Sequence, residues 1–243
     1  MRISLILLGV LLVLALAADR IGVRVAQSAL ADRIQAQGQL ANKPDVTAHG
    51  FPFLTQVFGG KYQDLEVTAT GVTADKYTDL TVHAHLRGVH APFSDLTGGR
   101  IEEVPVDHVQ GTLALPYDQL SRAVNIAGLT VNGDGNGGVR VSGHLNVLGR
   151  TLTASAHARV DVAGNGRVVI TADHAQVVGV ALPPAALGVL ERQLSFMVPL
   201  NDLPFGLRLT KVEATATELR LSAEADNVLL RKGALPTGNP ANG

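Results

Sequence analysis

The chain has 243 residues, of which 17% are charged, 46% are hydrophobic and none is cysteine, and its formal net charge is −1. The charged share is below the roughly 25% of ordinary soluble domains, and no basic run favours nucleic-acid binding. The lack of cysteine excludes disulfides, thiolate chemistry and a lipidated cysteine. A chain of this length forms one or at most two domains, and these must be stable by packing alone.

The N-terminus has the organisation of an export signal. Arg2 is followed by the apolar residues 3–14, and Ala15-Leu16-Ala17 offers the small-x-small pattern that a signal peptidase recognises. The alternative is an uncleaved anchor helix, because the apolar run continues to Ala18 and falls just short of the ~17–25 residues that span a bilayer. We therefore predict an exported protein with residues 1–17 as a signal peptide, or as an uncleaved anchor.

A long helix is predicted directly after this segment. Residues 18–37 contain no proline and a single glycine, and their apolar residues recur at helical spacing. The members of this stripe are Val23, Ala26, Leu30 and Ile34. We expect the helix to cover one side of a sheet, with a helix lying on a membrane surface as the alternative.

From Val46 onward the pattern changes to an alternation of apolar and polar residues, which is typical of strands with one apolar face. The segments with this rhythm are 65–70, 80–87, 139–141, 145–147, 154–162, 207–209 and 219–225. Residues 132–138 and 164–166 are rich in glycine and asparagine, which tolerate the positive φ of hairpin turns. Antiparallel pairing of neighbouring strands follows from these turns.

Two short helices are predicted among the strands, at residues 117–126 after a proline and at residues 184–194 with proline at the start. The tail 233–243 is rich in proline and glycine and is predicted to be disordered. The predicted fold is thus α+β, an antiparallel sheet packed on one long N-terminal helix plus short helices. Residues 18–232 are predicted to form a single domain.

The sequence has no motif that obliges catalysis or metal binding. His83 and His85 share one strand face, yet no third ligand is evident, so solvated histidines are the preferred interpretation. Residues 132–137 resemble the start of a calcium loop, but glycine occupies position 143, where the bidentate glutamate belongs, which favours a hairpin turn. The adjacent Glu102 and Glu103 would point to opposite faces of a strand. We predict no enzyme activity, no metal and no cofactor.

Two segments carry a resemblance to a known family. GFPFLTQVFGGKYQDLEV from Gly50 and LPFGLRLTKVEATATELRLSAE from Leu203 are similar to the two ends of the LmeA-like phospholipid-binding family, which is named for lipomannan elongation. The order of signal or anchor, helix and Gly-Phe-Pro-Phe turn is also similar. The resemblance covers essentially the whole mature chain.

The resemblance implies a protein of the periplasm or cell envelope, on the outer side of the cytoplasmic membrane. It implies binding of anionic phospholipids such as phosphatidylinositol, and a supporting role in the elongation of membrane-anchored mannans. It also implies the fold of tubular lipid-binding proteins, an extended, curved antiparallel sheet around a helix. The alternation of apolar and polar residues is compatible with this, because alternating leucine, valine and alanine can build an apolar lining. In such a lining the small side chains of Ala154, Ala156 and Ala158 would leave room.

The phenylalanines of the first segment have two interpretations. Phe51, Phe53 and Phe58 either lie at a mouth that contacts membrane or acyl chains, or Phe51 and Phe53 close the end of the sheet by packing on the first helix. In the first interpretation Lys61 and Arg208 meet a lipid phosphate. The candidate lipid-binding residues are Phe51, Phe53, Phe58, Lys61, Phe205 and Arg208.

Three functions are compatible with the sequence, and the first is our prediction. It is an envelope protein that binds anionic phospholipid and the membrane surface. The second is a scaffold for an envelope glycosyltransferase without a lipid cavity of its own. The third is a hydrolase whose catalytic residues are dispersed in the sequence.

Overall fold

The computed structural model describes residues 2–74, 76–92, 94–95, 103–124, 128–147, 150–163, 167–177, 181–198 and 203–231. The helices in this part of the chain are α1 (Arg2–Gly38), α2 (Phe53–Gly59), α3 (Tyr117–Ala123) and α4 (Pro184–Leu194). The strands are β1 (Asp45–His49), β2 (Lys61–Ala74), β3 (Tyr77–His90), β4 (Glu103–Pro116), β5 (Thr130–Gly133), β6 (Val139–Val147), β7 (Arg150–Val162), β8 (Val168–Val177), β9 (Phe196–Met197), β10 (Arg208–Ala214) and β11 (Glu218–Arg231).

The predicted α+β class is confirmed, and so are the helix 184–194 and the hairpin at 132–138. In that hairpin β5 pairs antiparallel with β6, and a side-chain oxygen of Asp134 accepts hydrogen bonds from the N–H groups of Asn136 and Gly138. The helix predicted over 117–126 ends earlier, at Ala123, because Val124 is extended. Helix α2 was not predicted. The tail 233–243 lies outside the described residues.

The strands form two sheets. One has six strands in the order β1-β2-β3-β4-β11-β10, and the other has five in the order β5-β6-β7-β8-β9. The registered pairs are antiparallel, for example Val46 opposite Val67 in the first sheet and Ala156 opposite Val141 in the second. This pairing agrees with the predicted succession of hairpins.

The contacts divide the chain into two compact units. Unit 1 takes in the described residues of 1–71, 83–110 and 225–243, and unit 2 those of 72–82 and 111–224. Four strands are divided between the units, so that each has one portion in unit 1 and the other in unit 2; these are β2, β3, β4 and β11. The prediction of one domain over 18–232 stays a prediction.

Unit 2 has a large apolar core, in which α4 packs on β6, β7 and β8. The buried Leu190 and Leu194 of α4 share one hydrophobic cluster with Ala154, Ala156 and Ala158 of β7. Alanines on a sheet face allow a helix to approach closely, and interiors are packed with few voids. The small side chains of β7 therefore lie in a packed core.

In unit 1, α1 packs on β1 and α2. The contact face of α1 carries small side chains, since Ala26 and Ala31 are buried, and Val46 of β1 is buried as well. The first part of α1 is different, because its described large apolar side chains, at position 3 and from 6 to 16, are exposed. From Ile6 onward α1 is long and apolar enough to cross a membrane, and its place near the N-terminus fits a signal sequence equally well.

Candidate functional site

The turn between β1 and α2 depends on a glycine. Gly50 has a φ of +99°, and a Cβ atom there would come within 2.7 Å of Gln56 Nε2 and 2.8 Å of Gln63 Oε1. The same Gln56 is buried, accepts a hydrogen bond from the Gln63 N–H (2.8 Å) and donates one to the His49 carbonyl (3.2 Å). It joins the end of β1 to the start of β2, so the Gly-Phe-Pro-Phe segment has a fixed geometry.

Helix α2 is held on α1 by a buried carboxylate. Asp19 is only 3% exposed, and its Oδ1 accepts a hydrogen bond from the Leu54 N–H at 2.8 Å. That N–H lies in the first turn of α2, where backbone donors have no partner inside the helix. Pro52, the residue before the helix, provides no side-chain cap. The cap therefore comes from α1, 35 residues earlier in the chain.

The three phenylalanines of this segment have different surroundings. Phe53 is 3% exposed, and its ring centroid lies 6.3 Å from that of Tyr62. Phe51 is 55% exposed and Phe58 is 87% exposed. The burial of Phe53 agrees with the packing interpretation, whereas Phe51 and Phe58 offer apolar surface to solvent.

A pocket of ≈ 470 Å³ lies between α1, β1 and the turn. Its wall combines Val23 and Gln27 of α1, Ala48 of β1, and Arg20 beside Phe51. The Arg20 guanidinium carbon lies 5.1 Å from the centroid of the Phe51 ring, a cation–π distance. This volume lies within the ~300–1,000 Å³ range of small-molecule sites. Gln27 and two polar residues of β1 share the wall with these apolar groups and the guanidinium. Such a mixed lining suits the headgroup end of an amphiphile that carries a negative charge.

Arg20 is the cation that sequence reasoning missed. It is exposed, and among the described residues no carboxylate lies within ion-pair distance of it. In the sequence Arg20 is one of several polar residues on a long helix, and the rest of that helix, β1 and a turn separate it from Phe51. The contact between them depends on tertiary packing, so no local pattern indicates it.

Lys61 lies at the start of β2, and its Nζ is 3.6 Å from Asp107 Oδ2. Both side chains are more than half exposed. His90 Nδ1 is also 3.4 Å from Asp107 Oδ1. A lipid phosphate at Lys61 would compete with this carboxylate, and the contact with lipid stays a prediction.

Phe205 and Arg208 belong to unit 2 and are described there by themselves. Phe205 is half-buried in the 3₁₀ turn Pro204–Gly206 with a φ of +59°. Arg208 is exposed at the start of β10, opposite Glu224 of β11. Their predicted contact with lipid stays a prediction as well.

Histidines and carboxylates lie side by side on β1, β2 and β3 in unit 1. His49 Nε2 lies 3.1 Å from Glu66 Oε2, and His85 Nδ1 lies 3.6 Å from Asp64 Oδ1. The hydrogen bond from His49, together with the charges of the nearby histidines, lowers the pKa of Glu66. In the part of the chain that the structure describes, no three such side chains are placed to hold a metal ion. The cluster is a network of polar contacts between histidines and carboxylates on the sheet surface.

The buried tyrosine next to Phe53 gives a testable pH dependence. Burial raises the pKa of Tyr62 to about 12, and among the described residues its hydroxyl has no hydrogen-bond partner. Tyr62 therefore loses its proton more readily in the unfolded chain than in the folded one. The stability that the neutral side chain provides is fully present below pH ~10 and is lost as the pH rises towards 12. We expect Tyr62→Phe to weaken the loss of stability between pH 10 and 12, in urea unfolding followed by circular dichroism.

The same variant is expected to keep or raise stability at pH 8, because no hydrogen bond is removed. Tyr117→Phe is the matched control, since the Tyr117 hydroxyl donates to the Thr215 carbonyl at 2.8 Å. That control should lose about 1 kcal/mol at pH 8. An equal loss at pH 8 for both variants would show that the Tyr62 hydroxyl has a partner.

Comparison with known proteins identifies one family. A family model described as LmeA-like phospholipid-binding matches residues 17–224 of the chain. The match includes the Gly-Phe-Pro-Phe turn, the pocket residues and all strands except the end of β11 after residue 224. That family is not a known family of enzymes. No curated protein and no solved structure matches the chain.

Proposed function

Because the chain belongs to the LmeA-like phospholipid-binding family, we propose that it is a non-enzymatic, exported envelope protein that binds one anionic phospholipid in the pocket between α1 and β1. The observation that carries the proposal is the pocket itself, in which a guanidinium without a carboxylate partner among the described residues adjoins a mixed wall of apolar and polar side chains. A phosphate can accept two parallel hydrogen bonds from a guanidinium. Acyl methylenes leave a bilayer at a cost of ~0.8 kcal/mol each, which an apolar wall offsets.

The preference for anionic headgroups rests on charge. Arg20 and Arg24 are both exposed on α1, and neither has a carboxylate partner within ion-pair distance among the residues that the structure describes. Glycerophospholipids with a net negative charge gain from two such cations, whereas zwitterionic lipids gain little. Export and a periplasmic location are supported by the exposed apolar start of α1. Support of mannan glycolipid elongation is the cellular role we propose on this basis.

One observation favours a second candidate. Phe58 is 87% exposed, and exposed apolar groups mark protein contacts as well as lipid contacts. A scaffold that holds an envelope glycosyltransferase through this surface, without a lipid of its own, would account for it. The two candidates differ in one measurable respect, which is whether phospholipid accompanies the purified protein.

The first test is mass spectrometry of an organic extract of the processed protein, purified from a native-like host without detergent. Near-stoichiometric phospholipid with a negative headgroup is the expected result. A folded protein free of lipid, which also fails to bind added phospholipid, would reject lipid binding and favour the scaffold.

A charge variant tests the pocket. We expect Arg20→Gln to weaken binding of a short-chain anionic phospholipid about tenfold, which corresponds to ~1.4 kcal/mol, as measured by calorimetry below the micellar concentration. Binding of the matching zwitterionic lipid should weaken less, because its phosphate also meets Arg20 but its net charge is zero. The control is Arg192→Gln, which removes an exposed arginine of α4 in unit 2. Equal losses for both variants would mean that overall charge, and not the pocket, determines binding.

A further inference from the structure

We propose that unit 1 docks on an anionic bilayer surface through a docking face formed by Ile21, Val25, Phe51 and Phe58. This inference deepens the proposed function and rests on it, since it names the bilayer as the source of the lipid and the end of unit 1 that meets it. The pocket beside Arg20 would then open near the headgroups.

The first argument is exposure. Ile21 is 62% and Val25 is 64% exposed, and both phenylalanines are exposed by more than half. Four large apolar side chains in contact with water are unfavourable, and such groups on a folded surface mark an interaction site. Phe53, in the same segment, is buried, so exposure is not a general property of its phenylalanines.

The second argument is position along α1. Ile21 and Val25 are four residues apart and so share one helix face, whereas the buried Asp19 and Ala26 mark the face towards the rest of unit 1. The Phe51 ring lies on Arg20, and α2, which carries Phe58, is capped by Asp19. The docking face therefore lies beside residues 19–25 of α1, which extend over ~9 Å along the helix axis.

The third argument identifies the occupant. The apolar segment of α1 that ends at Ala18 continues into residues 19–25 without a break in the helix. When the full chain retains this segment as an anchor in a bilayer, the next ~9 Å of helix falls within the headgroup layer, which adds roughly 5–8 Å on each side of the hydrocarbon. Aromatic and aliphatic side chains at this level reach the acyl boundary.

Charge favours an anionic bilayer over a second copy of the chain. Arg20 and Arg24 flank the docking face, and a long basic side chain can keep its stem in apolar surroundings and its charge among phosphates. In a two-fold contact the same surface meets itself, which would bring the arginines of both copies together. A bilayer with negative headgroups supplies the opposite charge.

The chain has no cysteine, so single cysteines can report on this face without background. We would label Phe58→Cys, Phe51→Cys and Val25→Cys with a polarity-sensitive fluorophore in the full chain, reconstituted into phosphatidylcholine vesicles with or without phosphatidylglycerol. Gln37→Cys is the matched control, because it is exposed on the same helix ~18 Å beyond Val25.

The expected result is a blue shift of the three docking-face labels and their quenching by nitroxide lipids of shallow depth, stronger with phosphatidylglycerol, while the Gln37 label stays in water. Labels that all behave like the Gln37 control would overturn the proposal. A shift that depends on protein concentration and not on quencher lipids would also overturn it, in favour of self-association.

Binding of a soluble short-chain anionic phospholipid separates this inference from the proposed function. If the labels stay in water while the monomeric lipid still binds, docking is wrong and lipid binding stands. If the labels enter the bilayer while no monomeric lipid binds and none is extracted, docking stands and the pocket is not a lipid site.

Discussion

Replacing Phe53 with alanine is expected to lower the free energy of unfolding by about 3–5 kcal/mol, whereas Phe58→Ala should change it by no more than about 0.5 kcal/mol. The two residues lie on the same short helix but differ in exposure, at 3% and 87%. Phe53 packs on Tyr62 between α2 and β2, so its removal leaves a cavity. Phe58 has little packing to lose.

The measurement is urea unfolding at pH 8 followed by circular dichroism, since the chain has no tryptophan. Phe53→Leu is a useful intermediate, because it keeps most of the apolar volume and should lose less than the alanine variant. Comparable losses for Phe53→Ala and Phe58→Ala would contradict the arrangement of α2 described above. The contrast also shows why lipid binding is better tested at Phe51 and Phe58, because a Phe53 variant confounds binding with folding.

The parts of the fold that sequence predicts well are those with a local cause. Proline at the start of 184–194 and leucines at helical spacing define α4, which was predicted to the residue. The asparagine and glycine turn at 132–138 defines the β5–β6 hairpin in the same way. In each case the pattern within a short window is sufficient, because hydrogen bonds and side chains of that window produce the structure.

Helix α2 was missed for a physical reason. Its seven residues follow a glycine-proline turn and carry no side-chain cap of their own, and a helix this short is marginal in isolation. It exists because Asp19 accepts the Leu54 N–H and because Gln56 bonds to β1 and β2. These partners are distant in sequence, so no local pattern predicts them.

The sequence indicates only one wall of the pocket, and the role of its residues in lipid binding stays a prediction. The Gly50–Phe58 segment was identified from its concentration of phenylalanines, and the structure places Phe51 and Phe53 at a pocket. The opposite wall comes from α1 and consists of Arg20, Val23 and Gln27. For this segment the sequence indicates an amphipathic helix and nothing that sets these three residues apart. A pocket between two elements is a property of their packing, which alternation and spacing do not encode.

Leu190→Ala is expected to lower the free energy of unfolding by about 2–5 kcal/mol, because it creates a cavity in the core of unit 2. Leu190 is fully buried and belongs to the same cluster as Ala154, Ala156 and Ala158. Val189→Ala is the matched control, since the neighbouring valine is 40% exposed and should lose less than about 1 kcal/mol.

The result also decides whether unit 2 holds lipid. If β7 and α4 enclose a packed core, added phospholipid leaves the loss at Leu190→Ala unchanged, because no acyl chain lies beside the alanines. A protein that lost little stability at Leu190→Ala, or recovered it with lipid, would instead have an acyl chain between β7 and α4. Unit 2 would then hold a lipid site of its own, and Arg20→Gln would no longer be the variant with the largest effect on affinity.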